Sequence, residues 1–321
     1  MSRRTISSLL ALSSILAVGM ACCVGATDIA LLRALSILIK PDTSIDSLII
    51  WEIRLPRTLA AYLVGVCLAA SGAALQGLLR NPLAEPGVLG VSAWSSLAAV
   101  TVIYFGIAEN WSYAAPVAAI GGSLLATGLL CCVAIWVKST VTLILFGIGL
   151  SSLAGALMAL VTNFAPNPFY LSDMITWMLG SVANRSLLDM LAGLLLLLSQ
   201  RKGLTLLSLG EDTASTLGLS LTTTRICVVL GAGLATGAAV SLAGVIGFVG
   251  IVTPHLVRPL VNYEPGKTII PSAVLGGVFL VLIDIGVRII STNVELKIGV
   301  LAALVGAPIF IWIASKSGRH E

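Results

Sequence analysis

RLPRTLAAYLVGVCLAASGAALQGLLRNPLAEPGVLG, residues 54–90, is the stretch that decides the fold. Arg54 and Arg57 flank Leu-Pro, residues 58–79 carry no charge, and Asn81-Pro82 follow as a turn signal. A helix over 58–79 is long enough to cross a hydrocarbon core of roughly 30 Å. Gly65, Ala69, Ala70, Ser71, Gly72, Ala73 and Ala74 give that helix small side chains, which suit close approach to other helices more than contact with lipid. Charge at one end, a turn at the other and a packing face between them describe part of a membrane machine.

The rest of the chain has the same character. Of 321 residues, 58% are hydrophobic and 10% charged, with a mean hydropathy of +1.06. A soluble domain cannot hide that much apolar surface, so the class is a polytopic membrane protein. Unpaired backbone groups are not tolerated in lipid, and long apolar runs without alternation favour helices over a barrel. The expected fold is an all-α membrane-spanning helical bundle forming one domain over 1–321. Apolar segments at 6–26, 58–79, 87–106, 114–137, 141–163, 187–200, 225–243, 244–257, 268–288 and 298–315 predict about ten transmembrane helices. Arg3 and Arg4 before the first segment imitate a signal peptide, but its full spanning length favours a retained first helix.

With the N-terminus inside, the cytoplasmic Lys and Arg are Arg3, Arg4, Arg80, Lys138, Arg201, Lys202, Arg225, Arg258, Lys267, Lys316 and Arg319. Arg33, Lys40, Arg54, Arg57, Arg185, Arg288 and Lys297 lie outside. This excess inside places both termini in the cytoplasm. Ala70-Ser71-Gly72-Ala73-Ala74 recurs as Ala235-Thr236-Gly237-Ala238-Ala239 in a span of opposite direction, an echo of an inverted repeat.

The longest inner loop is 201–224, RKGLTLLSLGEDTASTLGLSLTTT. Glu211 to Leu217 reads as a short helix, with acidic residues in its first turn and Gly218 at its end. Ala214 and Leu217 share a face at i, i+3 spacing, and such a helix between spans offers a contact for a soluble partner. Gly266-Lys267-Thr268 imitates the end of a phosphate-binding loop, but Val261 stands where that motif needs glycine.

Catalytic and metal-binding spacings are absent. The six cysteines lie within apolar runs and read as small packing residues, and two histidines are too few for a histidine cage. No nucleic-acid partner is implied. Asp284 and Arg288, four apart, read as a local pair at the membrane interface. Secondary transporters place ionisable groups mid-span, which leaves an ion-coupled carrier or a membrane enzyme as weaker alternatives. The positive signal is Arg54, Arg57 and Arg288 on the outer side, where forked guanidinium donors suit carboxylates on a docking protein.

These residues carry a resemblance. Arg54-Leu-Pro-Arg57, Asn81-Pro82-Leu83-Ala84-Glu85-Pro86, Leu89-Gly90, Leu209-Gly210-Glu211, Leu217-Gly218, residues 247–255 (GFVGIVTPH) and Gly306-Ala307-Pro308 follow one another in the order found in one family. The chain resembles the FecCD-like permease subunits of type II ATP-binding-cassette importers for iron–siderophore, haem and vitamin B12, nearly end to end. The resemblance implies a multi-pass subunit of the bacterial cytoplasmic (inner) membrane that is not itself an enzyme. It pairs with a second permease, as a homo- or heterodimer. Two cytoplasmic ATPase subunits would carry ATP and Mg, this chain would hold no cofactor, and a periplasmic or lipid-anchored binding protein would deliver the chelate, most simply a ferric siderophore. It further implies that Arg54, Arg57 and Arg288 receive acidic residues of the binding protein. Gly210, Glu211, Ala214, Leu217 and Gly218 would couple to the ATPase, and Asn81, Leu83, Thr140 and Val141 would form the cytoplasmic gate. Relatives often carry Asp-His after the segment matching Arg258, where this chain has Asn262, Glu264 and Pro265. They often carry Glu-Leu-Pro where it has Glu295-Leu296-Lys297.

Overall fold

The structure, a computed structural model, describes residues 3–25, 27, 29–136, 139–180, 188–290 and 296–317. Among them every regular element is helical. In chain order these are α1 (Arg3–Cys23), α2 (Leu31–Ile39), α3 (Ile45–Leu48), α4 (Leu55–Leu79), α5 (Val91–Tyr104), α6 (Ile107–Asn110), α7 (Ala114–Trp136) and α8 (Thr140–Asn163). There follow α9 (Pro168–Leu179), α10 (Leu188–Ser199), α11 (Arg201–Leu207), α12 (Glu211–Thr216), α13 (Leu221–Ala243), α14 (Val249–Val257), α15 (Pro265–Ile290) and α16 (Ile298–Ser317). Lys138, Arg185, Glu295, Arg319 and His320 lie outside the described residues.

Each of the ten apolar segments holds one of these helices, and six helices among the described residues are long and apolar enough to cross a membrane. Of the other four, α5 has 14 residues, α10 has 12 and α14 has 9, shorter than a straight crossing needs, while α16 has 20. Short helices missing from the sequence reading decorate the ends: α2, α3, α6, α9 and α11. A π-helical stretch, Ile49–Arg54, joins α3 to α4, so the helical run extends over Ile45–Leu79 for 35 residues.

At the centre lies α4. It packs most extensively on α15 and α13, and also on α14, with Thr58, Ser71 and Gln76 among its buried residues. Lipid is as apolar as the bundle interior, so hydrophobic burial contributes little to helix association; dispersion at short range must do it. The small residues make that range possible. A Cβ added at Gly72 would lie 2.0 Å from the Gly250 carbonyl oxygen, and one at Gly65 would lie 2.1 Å from that of Gly276. Backbone therefore touches backbone along α4, and the echo of its small-residue run in α13 is likewise buried from Ala235 to Ala239. The two helices run in opposite directions: Arg80, just past the end of α4, and Arg225, near the start of α13, meet at Glu211.

Candidate functional site

At the end of the bundle where α4 begins, Arg54 and Arg288 turn inward. The Nη1 of Arg54 donates to the carbonyls of Cys22 at 3.1 Å and Cys23 at 3.0 Å, and its Nη2 to that of Thr27. Arg288 Nη1 donates to the carbonyls of Ala21 at 2.8 Å and Val24 at 3.2 Å. The last carbonyls of a helix have no intrahelical partner and carry the negative end of its dipole. Two guanidinium groups from α15 and the approach to α4 thus close the C-terminus of α1. Gly25 leaves the room, since a Cβ there would sit 2.7 Å from Arg54 Nε. Only 4% of Arg54 is exposed.

Arg57 differs, with 30% of its side chain exposed. Its Nη2 lies 3.0 Å from Asp284, whose carboxylate also accepts from Arg288 and is 1% exposed. Asp284 and Arg288 are therefore not an isolated interfacial pair. With Arg57 they form a buried ion cluster that ties α4 to α15, and the sequence spacing showed only its i, i+4 half.

At the opposite end, α12 runs from Glu211 to Thr216 as the loop reading expected, and closes in a Schellman turn. The N–H of Leu219 donates to Ala214 O at 3.0 Å and that of Gly218 to Ser215 O at 2.9 Å. Gly218 has φ +87°, a conformation that an added Cβ penalises. Ala214 and Leu217 do not share a surface: Ala214 is fully buried and faces the bundle, while Leu217 is 58% exposed. A six-residue helix closed by a left-handed glycine turns the residue after its last turn, Leu217, outward.

Glu211 links this helix to the bundle. Its Oε1 accepts from Arg225 Nη2 at 2.9 Å and from Arg80 Nη2 at 3.5 Å. Arg80 has left-handed φ/ψ at the end of α4 and precedes Asn81, whose side chain accepts the Leu83 N–H at 2.9 Å. The turn after α4 is in turn seated on α8. Ser151 donates to Gly87 O at 3.3 Å, Trp94 Nε1 to Leu150 O at 3.1 Å, and a Cβ on Gly147 would meet Leu89 Cα at 2.8 Å. Thr140 and Val141 open α8 behind the Ser139 cap, with Val141 exposed, as is Leu83. The expected gate residues therefore occupy two connected elements.

The sequence assigns no site role to Gln76, Arg258 or Glu85. Gln76 is buried in α4, accepts from Arg258 Nη2 at 2.6 Å and donates to Gly250 O at 3.1 Å. A lone amide in a charge-free span was the available signal. Arg80, Asn81, Gln76 and Arg258 line a cavity of about 200 Å³ beside the turn. Glu85, within the turn, has its carboxyl pushed up to about 7 by burial.

Comparison with known proteins agrees with this architecture over nearly all of the chain. The model of the FecCD transport family matches residues 9–316. The vitamin B12 import system permease protein BtuC of Salmonella typhi is 38% identical over 279 residues, covering 85% of each chain. That of Salmonella newport is 38% identical over the same length. A solved structure described as an inward-facing conformation of a metal-chelate type ABC transporter superposes with a TM-score of 0.85 and 29% identity, covering 98% of this chain and all of the other. The chain belongs to the FecCD transport family.

Proposed function

We propose that this chain is the membrane-spanning permease subunit of an ATP-binding-cassette importer that moves a metal chelate across the bacterial inner membrane. The observation that carries this reading is the end-to-end superposition on a metal-chelate type transporter. In this reading both termini are cytoplasmic, about ten helices cross the bilayer, and a second permease subunit completes the pathway. Two separate ATPase subunits hold ATP and Mg.

The cytoplasmic end contains a contact route suited to coupling. Leu217 meets the ATPase, Glu211 anchors the short helix, and Arg80 passes its displacement to the turn holding Asn81 and Leu83. Thr140 and Val141 move with that turn because it is seated on α8. ATP binding and hydrolysis bias two states by acting differently on this helix in each. At the outer end Arg57 presents the accessible guanidinium to a carboxylate of the binding protein, and Arg54 and Arg288 hold the surface around it.

A ferric siderophore is the cargo of this proposal. The 38% identity to vitamin B12 permeases supports a corrinoid as the second reading. Purification with the native ATPase and binding protein, followed by mass spectrometry of bound ligand, separates them. An iron chelate supports the first, a cobalamin the second, and failure to co-purify with an ATPase contradicts the importer assignment.

A further inference from the structure

A groove of about 790 Å³ runs between α1 and α15, outside both sites described above. Its wall on α1 extends from Ile6 to Ile15, and Ile270 and Val274 of α15 face it. At 1.5 Å per residue this is roughly 14 Å, the depth of one leaflet in a hydrocarbon core of about 30 Å. The deep end is closed by Tyr62 of α4, whose hydroxyl lies 3.0 Å from Ser14 Oγ. The other end opens where α11 and α15 begin, and there the lining changes from apolar to basic.

That mouth carries Arg201 and Lys267. Arg201 Nε donates to the Gly266 carbonyl at 3.0 Å, which fixes the guanidinium in place. Its Nη groups make no hydrogen bond among the described residues. Lys267 pairs with Glu264 in an adjoining recess of about 600 Å³, which Arg201 and Lys202 also line. Three cations and one carboxylate therefore line the recess at the level where the helices end, beside an apolar slot about one leaflet deep.

We infer that this groove is a site for one anionic phospholipid, its phosphate on Arg201 and Lys267 and an acyl chain along α1 and α15. Charge complementarity selects the headgroup, because basic recesses between membrane helices favour anionic lipid. Depth selects an acyl chain over a soluble anion. The inference requires only that the bundle spans a bilayer, so it stands or falls apart from the transport assignment.

The test uses the full chain in nanodiscs of phosphatidylcholine containing a trace of phosphatidylglycerol with a photoreactive acyl chain. A parallel sample contains photoreactive phosphatidylcholine. The site predicts phosphatidylglycerol adducts on Ile6–Ile15 and around Ile270, exceeding phosphatidylcholine adducts there by roughly tenfold. The double variant Arg201→Gln, Lys267→Gln should bring both lipids to the same level, and Ala11→Trp, which fills the slot, should remove the adducts of both. Should either variant fail to elute as folded protein, the comparison of the two lipids on the unaltered chain still decides. Equal labelling by the two lipids, or adducts confined to other helices, would overturn the assignment.

Discussion

Arg54, Arg57 and Arg288 have one chemistry and two environments. Arg54 and Arg288 complete the end of α1, so Arg54→Gln and Arg288→Gln should each lower the melting temperature of the purified permease. Asp284→Asn leaves two arginines facing a neutral amide and should cost about 3–5 kcal/mol, the loss typical of a broken buried pair. Arg57→Gln breaks one bridge of the cluster but keeps the Asp284–Arg288 contact, so it should cost less stability than Asp284→Asn; its main effect should be on affinity for the binding protein, weakened about tenfold. Thermal unfolding alongside surface-immobilised binding separates these outcomes, and equal binding losses at all three positions would contradict the division. Glu85 gives a pH signature. Its carboxyl is raised from 4.5 to about 7, so the folded chain keeps a proton that the unfolded chain has released between those values. Stability then falls as pH rises through that window. Glu85→Gln should match the parent near pH 4 and exceed it above about pH 7 by up to about 3 kcal/mol; melting curves across pH check the sign.

At the scale of elements, α12 makes a prediction that distinguishes a docking face from a packing face. Leu217→Asp should leave the fold intact and abolish stimulation of the ATPase, whereas Ala214→Asp should destabilise the permease itself, because Ala214 is fully buried. Glu211→Gln should retain ATPase binding but weaken stimulation, since it loosens Arg80 and Arg225 together. The short helix was legible in the sequence because acidic residues open it and Gly218 closes it. The closure of α1 was not, since its acceptors are main-chain carbonyls, which every residue supplies. Nor were α3 and α6, whose four residues each are too short to show a period. Asp284 showed its i, i+4 partner and concealed Arg57, which lies 227 residues away.

For the whole molecule, residues 54–90 connect both ends of the bundle: an arginine cluster, a central helix in backbone contact with α14 and α15, and a turn bound to α8. Composition and run length made the helical bundle legible, and the small residues of α4 disclosed that it is central. Their consequence is testable, since Gly72→Leu drives a side chain into the Gly250 carbonyl and should prevent recovery of folded permease. In the proposed function, transport by this chain is driven by a partner's ATP hydrolysis. This is tested most directly in proteoliposomes holding the permease, its ATPase and binding protein, with labelled chelate outside and ATP within. ATP-driven import predicts uptake that vanadate stops and a protonophore leaves unchanged; uptake that continues under vanadate and collapses with the protonophore would rule it out.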